Sequence, residues 1–265
     1  MDAGTGTPTN AFHLDETVKL RPLAALGSAW GTFTSHVWIS LGAMLLLCVL
    51  MLAGNVIPFV NVLFGLLVSP ALAAGGARFL LRTARRESPG IDTIFDGFKR
   101  WPSATGAMLL QSLVALLLVS PVIGVAIATI GVAALMHLDR PGAMTFAMFL
   151  PTIGVAVLFY PLVLAWTCRT WPVFFVVLEP ECTGAVDALQ RSWALTRGSI
   201  WRSIGLFLLA LPVEILGLIA LCVGVFPAII VLYYAFAHGY EQLRQRAGLT
   251  LTPAATQAPP PGIVV

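Results

Sequence analysis

Glu214 is the acid least expected where it stands. It lies in an almost unbroken apolar run, about twelve residues and roughly 18 Å of helix beyond Arg202. A carboxyl at that depth of a membrane must face a bundle interior or water. The functional readings are a proton or cation relay, or an anchor for a polar ligand; the structural ones are a protonated hydrogen bond, with Gln111 as a candidate partner, or a position nearer the outer interface. Together Glu214 and Gln111 are the candidate intramembrane polar site. No second intramembrane acid or base accompanies Glu214, which weighs against ion-coupled transport.

The second candidate is basic. Arg78, Arg82, Arg85, Arg86, Lys99 and Arg100 crowd the segment between two apolar runs, where they can bind anionic lipid headgroups. Topology determination alone also explains such a cluster. Other chemistry is missing. The sequence has no G-x-S-x-G, no H-E-x-x-H and no P-loop, so no catalytic residue is assigned. Its four cysteines are scattered without a C-x-x-C, and its four histidines are spread along the chain, so neither a disulfide framework nor a metal or cofactor site is expected. The basic residues hug the ends of apolar runs, which excludes a nucleic-acid surface.

The elements that position these residues follow from composition. Hydrophobic residues make up 58% of the 265-residue chain and charged residues 10%, well under the roughly 25% of soluble domains. Each span needs about 20 apolar residues. The runs predict an all-α polytopic membrane protein of six transmembrane helices, near 37–53, 58–81, 103–136, 144–168, 203–221 and 225–240. The third run is too long for one upright span, and the short apolar segment 171–178 has no evident place. Residues 1–19 and 247–265 read as disordered tails around a membrane domain at 20–246. The first long apolar run begins only near Val37, so an uncleaved first span is expected rather than a signal peptide.

Short polar-apolar segments precede the odd-numbered spans. Leu23, Leu26, Trp30 and Phe33 share one helical face, as do Ile91, Ile94, Phe95 and Phe98, and Val186, Leu189 and Trp193. These predict amphipathic helices in the headgroup region, the second of them capped by Ser88 and Pro89. They are also candidates for docking a cytosolic partner. Asp187 and Arg191 are spaced to pair at i, i+4. Tryptophans flank the same span ends as an aromatic belt.

An internal repeat ties the segments together. Shifted by 163 residues, Ala25, Leu26, Trp30, Trp38, Ser40 and Gly42 fall on Ala188, Leu189, Trp193, Trp201, Ser203 and Gly205. Gly106 to Leu110 repeats Gly42 to Leu46 letter for letter, and Arg78 and Arg169 each lie eight residues after a proline. Three units of interfacial helix plus helical hairpin are predicted, at about 20–81, 88–170 and 183–246. Fourteen of the fifteen lysines and arginines then fall on one side, Arg140 being the exception, so both termini are expected in the cytoplasm.

Three features carry a family resemblance: Ile91-Asp92-Thr93-Ile94-Phe95-Asp96-Gly97-Phe98 before a span, the segment from Ala188 to Gly198, and a last hairpin with Gly224, Pro227 and Tyr233-Tyr234. The chain resembles a broad group of bacterial six-span membrane proteins that includes the membrane domain fused to some glycerophosphodiester phosphodiesterases. In fused members the hydrolase is a separate soluble domain, so the resemblance implies an inner-membrane location and no reaction. The expected function is a non-enzymatic membrane scaffold or lipid-associated accessory factor. Its partners would be the bilayer, anionic lipids, or another membrane or cytosolic protein. The alternative is a transporter or permease for a small or lipidic molecule, with Glu214 in its pathway.

Overall fold

A computed structural model of the chain describes residues 19–55, 58–136, 149–219 and 224–248, without the side chains of 55–60 and 133–136. The expected tails, the loop holding Arg140 and the cysteine at 222 lie outside these residues. Every regular element among them is helical: α1 (Pro22–Ser35), α2 (Val37–Asn55), α3 (Pro58–Leu63), a π-helical turn (Phe64–Val68), α4 (Ser69–Ala84), a 3₁₀ helix (Ile91–Arg100), α5 (Trp101–Met136), α6 (Leu150–Thr170), α7 (Val173–Val177), α8 (Ala185–Thr196), α9 (Ile200–Ile219) and α10 (Val225–Arg246). Among the described residues five stretches are long and apolar enough to cross a membrane: Val37–Gly54, Asn61–Ala84, Ile91–Val132, Leu150–Val177 and Ile200–Ile219. They wear their apolar side chains outward, with Val49, Leu66, Leu117, Val157 and Leu208 all exposed. That surface suits hydrocarbon as the solvent and is far larger than a water-soluble monomer tolerates.

Pro70 sets the form of α3 and α4. It has no N–H to give and its ring crowds the carbonyl four residues back. The turn before it widens to π geometry, with the Ser69 N–H reaching the Phe64 carbonyl. The Trp101 indole N–H donates to the Leu67 carbonyl in the same turn. By contrast α5 continues through Pro121 as one helix of 36 residues, about 54 Å long. The long run is therefore a single rod that overshoots a roughly 30 Å hydrocarbon core.

The molecule is dense at one end. That end, where α2, α5 and α9 begin and α4, α6 and α10 finish, also holds the basic residues. In α5, Ala104, Thr105 and Ala107 are buried, and nothing beyond them is up to Val132. The apolar segment left without a place by its length becomes α7. Val173, Phe175, Val176 and Val177 are all buried, in a core cluster with Ala74, Ala107 and Tyr240. Five residues are too few to span a bilayer but enough to plug the end of a bundle.

Of the three short segments that precede hairpins, two lean mainly on the second helix of another hairpin, and α8 packs against both α5 and α6. On α10 rests α1, with Thr32 Oγ1 2.9 Å from His238 Nε2 and the Arg21 N–H donating to Gln242 Oε1 at 2.7 Å. The 3₁₀ helix rests on α4, where Arg78 faces Asp96 at 3.4 Å. Against α6 lies α8, whose Ser192 hydroxyl donates to the Arg169 carbonyl at 2.8 Å while the Arg169 guanidinium stacks 4.3 Å from the Trp193 ring. Segment 91–100 departs from expectation in two ways. It is 3₁₀ and starts after Gly90 rather than at a Ser88 cap, and it buries Thr93, Ile94 and Gly97 while leaving Ile91, Phe95 and Phe98 exposed. The cause is contact: Gly97 and Gly75 let its backbone touch that of α4.

Candidate functional site

Hydroxyl and amide side chains near the basic ends of otherwise apolar helices build the polar part of the site. Ser40, one turn into α2, shares a 2.7 Å hydrogen bond with the fully buried Tyr234 of α10. Across the bundle the Gln111 amide of α5 donates to Thr170 Oγ1 of α6 at 3.0 Å, and Thr170 donates to the Trp166 carbonyl. A hydroxyl returned to its own helix in this way costs little in hydrocarbon.

Between these pairs lies a cavity of about 520 Å³. One wall is α2 from Ser40 to Met51, and the facing walls are α4 around Gly76 and α10 around Tyr233. Phe207 of α9 and Thr167 of α6 complete it, and Trp171, Phe174 and Phe175 form a floor at the basic end. Among the described residues no aspartate, glutamate, lysine, arginine or histidine lines it. Its size falls within the roughly 300–1,000 Å³ of ligand pockets, and its lining is the mostly apolar kind with a few placed polar groups.

Of the two expected polar residues, the structure brings only Gln111 to the cavity. Glu214 lies on the exposed face of α9 with Leu211, Ile215 and Leu218 and does not line it. The residue stands five positions before Ile219, about 8 Å from the described end of its helix. The far interface is within reach of the carboxylate there. The hydrogen bond expected between Glu214 and Gln111 is made instead between Gln111 and Thr170.

Five of the six expected lipid-binding cations have a partner within the protein. Arg78 and Lys99 share Asp96, Arg82 holds Glu87 at 3.0 Å, and Arg100 donates to the Cys182 carbonyl at 2.8 Å. Arg85 grips Glu241 at 2.6 Å and reaches Glu179 at 3.8 Å. Glu179 also meets Arg244 at 3.3 Å and accepts from the Tyr240 hydroxyl at 3.1 Å. Arg86 alone of the six is exposed and without a partner among the described residues, in a left-handed turn with φ 63°. Sequence reasoning missed this Arg85–Glu179–Glu241–Arg244 cluster. Its signal was the acids: Glu179 and Glu241 stand where the basic-side rule calls only for cations.

The expected Asp187–Arg191 pair forms at 2.8 Å. Burial pushes the Asp187 carboxyl up, but the hydrogen bonds from Arg191 and Thr183 and the Arg191 charge outweigh it and hold the carboxyl below its usual value. A carboxyl depressed in the folded state stabilises fully above its unfolded pKa of about 3.9, and that stability is lost as pH falls through the folded value. Asp187→Asn is expected to lower stability by about 0.5 kcal/mol at pH 7, the worth of a partly exposed pair. In melting curves from pH 7 to 3 the variant should converge with the wild type at the acid end. A constant offset would assign the loss to something other than the carboxylate charge.

Among the described residues no group of three histidines, cysteines or acids is placed to hold a metal. Cys182 is buried, which pushes its thiol up and leaves it unreactive. Comparison with protein-family models, with curated proteins and with solved structures finds no match to the chain.

Proposed function

We infer that the protein is a non-enzymatic, lipid-associated accessory protein or scaffold of the bacterial inner membrane. The observation that carries this reading is the cavity: large, apolar, set among the spanning helices and lined by no charged group. Such a space takes an apolar molecule from the bilayer and gives an ion no compensation for its lost hydration. The transporter alternative relied on Glu214, which stands outside the cavity on the outer face of α9.

The finer architecture belongs to the same reading. With α10 as a sixth span, all three hairpins begin and end at the basic end, and the positive-inside rule puts that end and both termini in the cytoplasm. Burial supports the threefold repeat. Ser40, Ala104 and Ser203 occupy one register and are all buried, as are Ala43, Ala107 and Leu206 in the next. Trp38 and Trp201 are 86% and 84% exposed, at matching positions for an interfacial belt. The resemblance to the membrane domain of some glycerophosphodiester phosphodiesterases adds a location and no chemistry.

Native mass spectrometry of the gently solubilised full chain is expected to show retained lipid at about one molecule per protein. In cells, Arg86→Cys should react with thiol reagents only from the cytoplasmic side. Lipid-free protein with an undiminished melting temperature would remove the functional reading, and labelling from outside would overturn the topology.

A further inference from the structure

We propose that the cavity binds one long apolar chain ended by a hydroxyl group, with the hydroxyl at Gln111 and the chain running along α2 toward Met51. The inference rests on the lipid-associated reading and adds the ligand's chemistry.

Length comes first. From Ser40 to Met51 the lining of α2 climbs eleven helical steps, about 17 Å, and one leaflet of a roughly 30 Å hydrocarbon core is about 15 Å deep. The cavity is therefore as long as one lipid chain. Ser40 with its partner Tyr234, Gln111, Thr167 and Thr170 gather at the floor end, Tyr233 adds a hydroxyl from α10, and Leu47, Met51, Leu72 and Ile230 line the rest.

Chemistry decides the head. Gln111 uses one N–H on Thr170, so its second N–H and its carbonyl oxygen remain without a protein partner among the described residues. A hydroxyl, which donates once and accepts twice, answers both. A phosphate does not: no cation among the described residues lines the cavity, and Phe175 on its floor stacks on Tyr240, which stands between it and Glu179. Placing a phosphate there would strand a charge in hydrocarbon.

The test uses the full chain in nanodiscs with a monoacylglycerol whose chain carries a photoreactive diazirine. Cross-links are expected on Leu47, Cys48, Met51 or Phe207. They should be competed by unlabelled monoacylglycerol at least tenfold better than by a lysophospholipid of equal chain length. Competition by a long-chain isoprenoid alcohol as strong as by the acylglycerol would place the specificity in the hydroxyl; weaker competition would place it in the straight chain as well. Cys48→Trp, which fills the cavity, should remove the cross-links, whereas Leu45→Trp on the exposed side of the same helix should not. Gln111→Leu should erase the tenfold preference and leave the chain bound. Cross-links confined to Leu45, Val49 and Leu52 would overturn the proposal, as would retention of the preference in Gln111→Leu. Equal competition by the lysophospholipid would overturn the neutral head alone and leave the lipid-associated reading standing. Absence of any bound lipid would end both.

Discussion

Gly75→Ala is expected to destabilise the protein by about 3 kcal/mol, although the same change in an ordinary helix interior stabilises by nearly 1. The sign reverses because of what the new methyl group would meet. A Cβ at Gly75 falls onto the backbone carbonyl of Ile94, and one at Gly97 falls onto the Ala71 carbonyl and the Gly75 nitrogen. Backbone cannot rotate aside as the tip of a side chain can. Either substitution must push the 3₁₀ helix off α4, losing the Ile94 packing and the Arg78–Asp96 contact with it. Gly124 in α5 is the control, since nothing lies within 4 Å of its Cβ position. Thermal melting of the detergent-solubilised protein should show Gly75→Ala and Gly97→Ala strongly lowered and Gly124→Ala unchanged or raised. Equal behaviour of all three would mean that the two backbones do not touch.

Arg244→Met is expected to cost about 3 kcal/mol, because it removes one partner of a buried ion pair and leaves the other. The Arg244 side chain is 7% exposed and Glu179 15%. Without Arg244, Glu179 keeps the Tyr240 hydroxyl and a distant Arg85, which is already held by Glu241. Arg244→Met combined with Glu179→Gln should recover most of the loss, since apolar and neutral replacements of a whole buried pair are often close to neutral. The melting temperatures of the two single variants and the double variant form the cycle. Strict additivity would deny the pairing. Arg244 Nε and Nη1 have no protein partner among the described residues, and a gap of about 10 Å³ beside them, close to the least space one water needs, lies against Glu181 and Arg191. Removing Arg244 also opens that gap.

Much of this arrangement is legible in the residues. Apolar run length gives the spanning helices, because the bilayer sets one length for all of them. The spacing of Asp187 and Arg191 gives their pair. Arg78 and Arg169, each eight residues past a proline, turn out to contact the next short segment, through Asp96 and the Trp193 ring, a role that periodicity hints at but does not identify. Other features depend on distant contacts. The apolar residues of Ile91–Arg100 follow a 3.6 period, and the closeness of α4 overrides it to 3₁₀, burying Ile94 and Gly97 three residues apart. Whether Glu214 faces in or out depends on how α9 is rotated against its neighbours, and one carboxyl in an apolar run carries no record of that. A cavity is harder still, since it is made by where side chains do not meet.

Among the described residues, α1, the 3₁₀ helix, α7 and α8 all gather at the end that holds the basic residues. In a two-dimensional fluid, elements added at one end of an inclusion would displace lipid area from one leaflet and leave the other untouched.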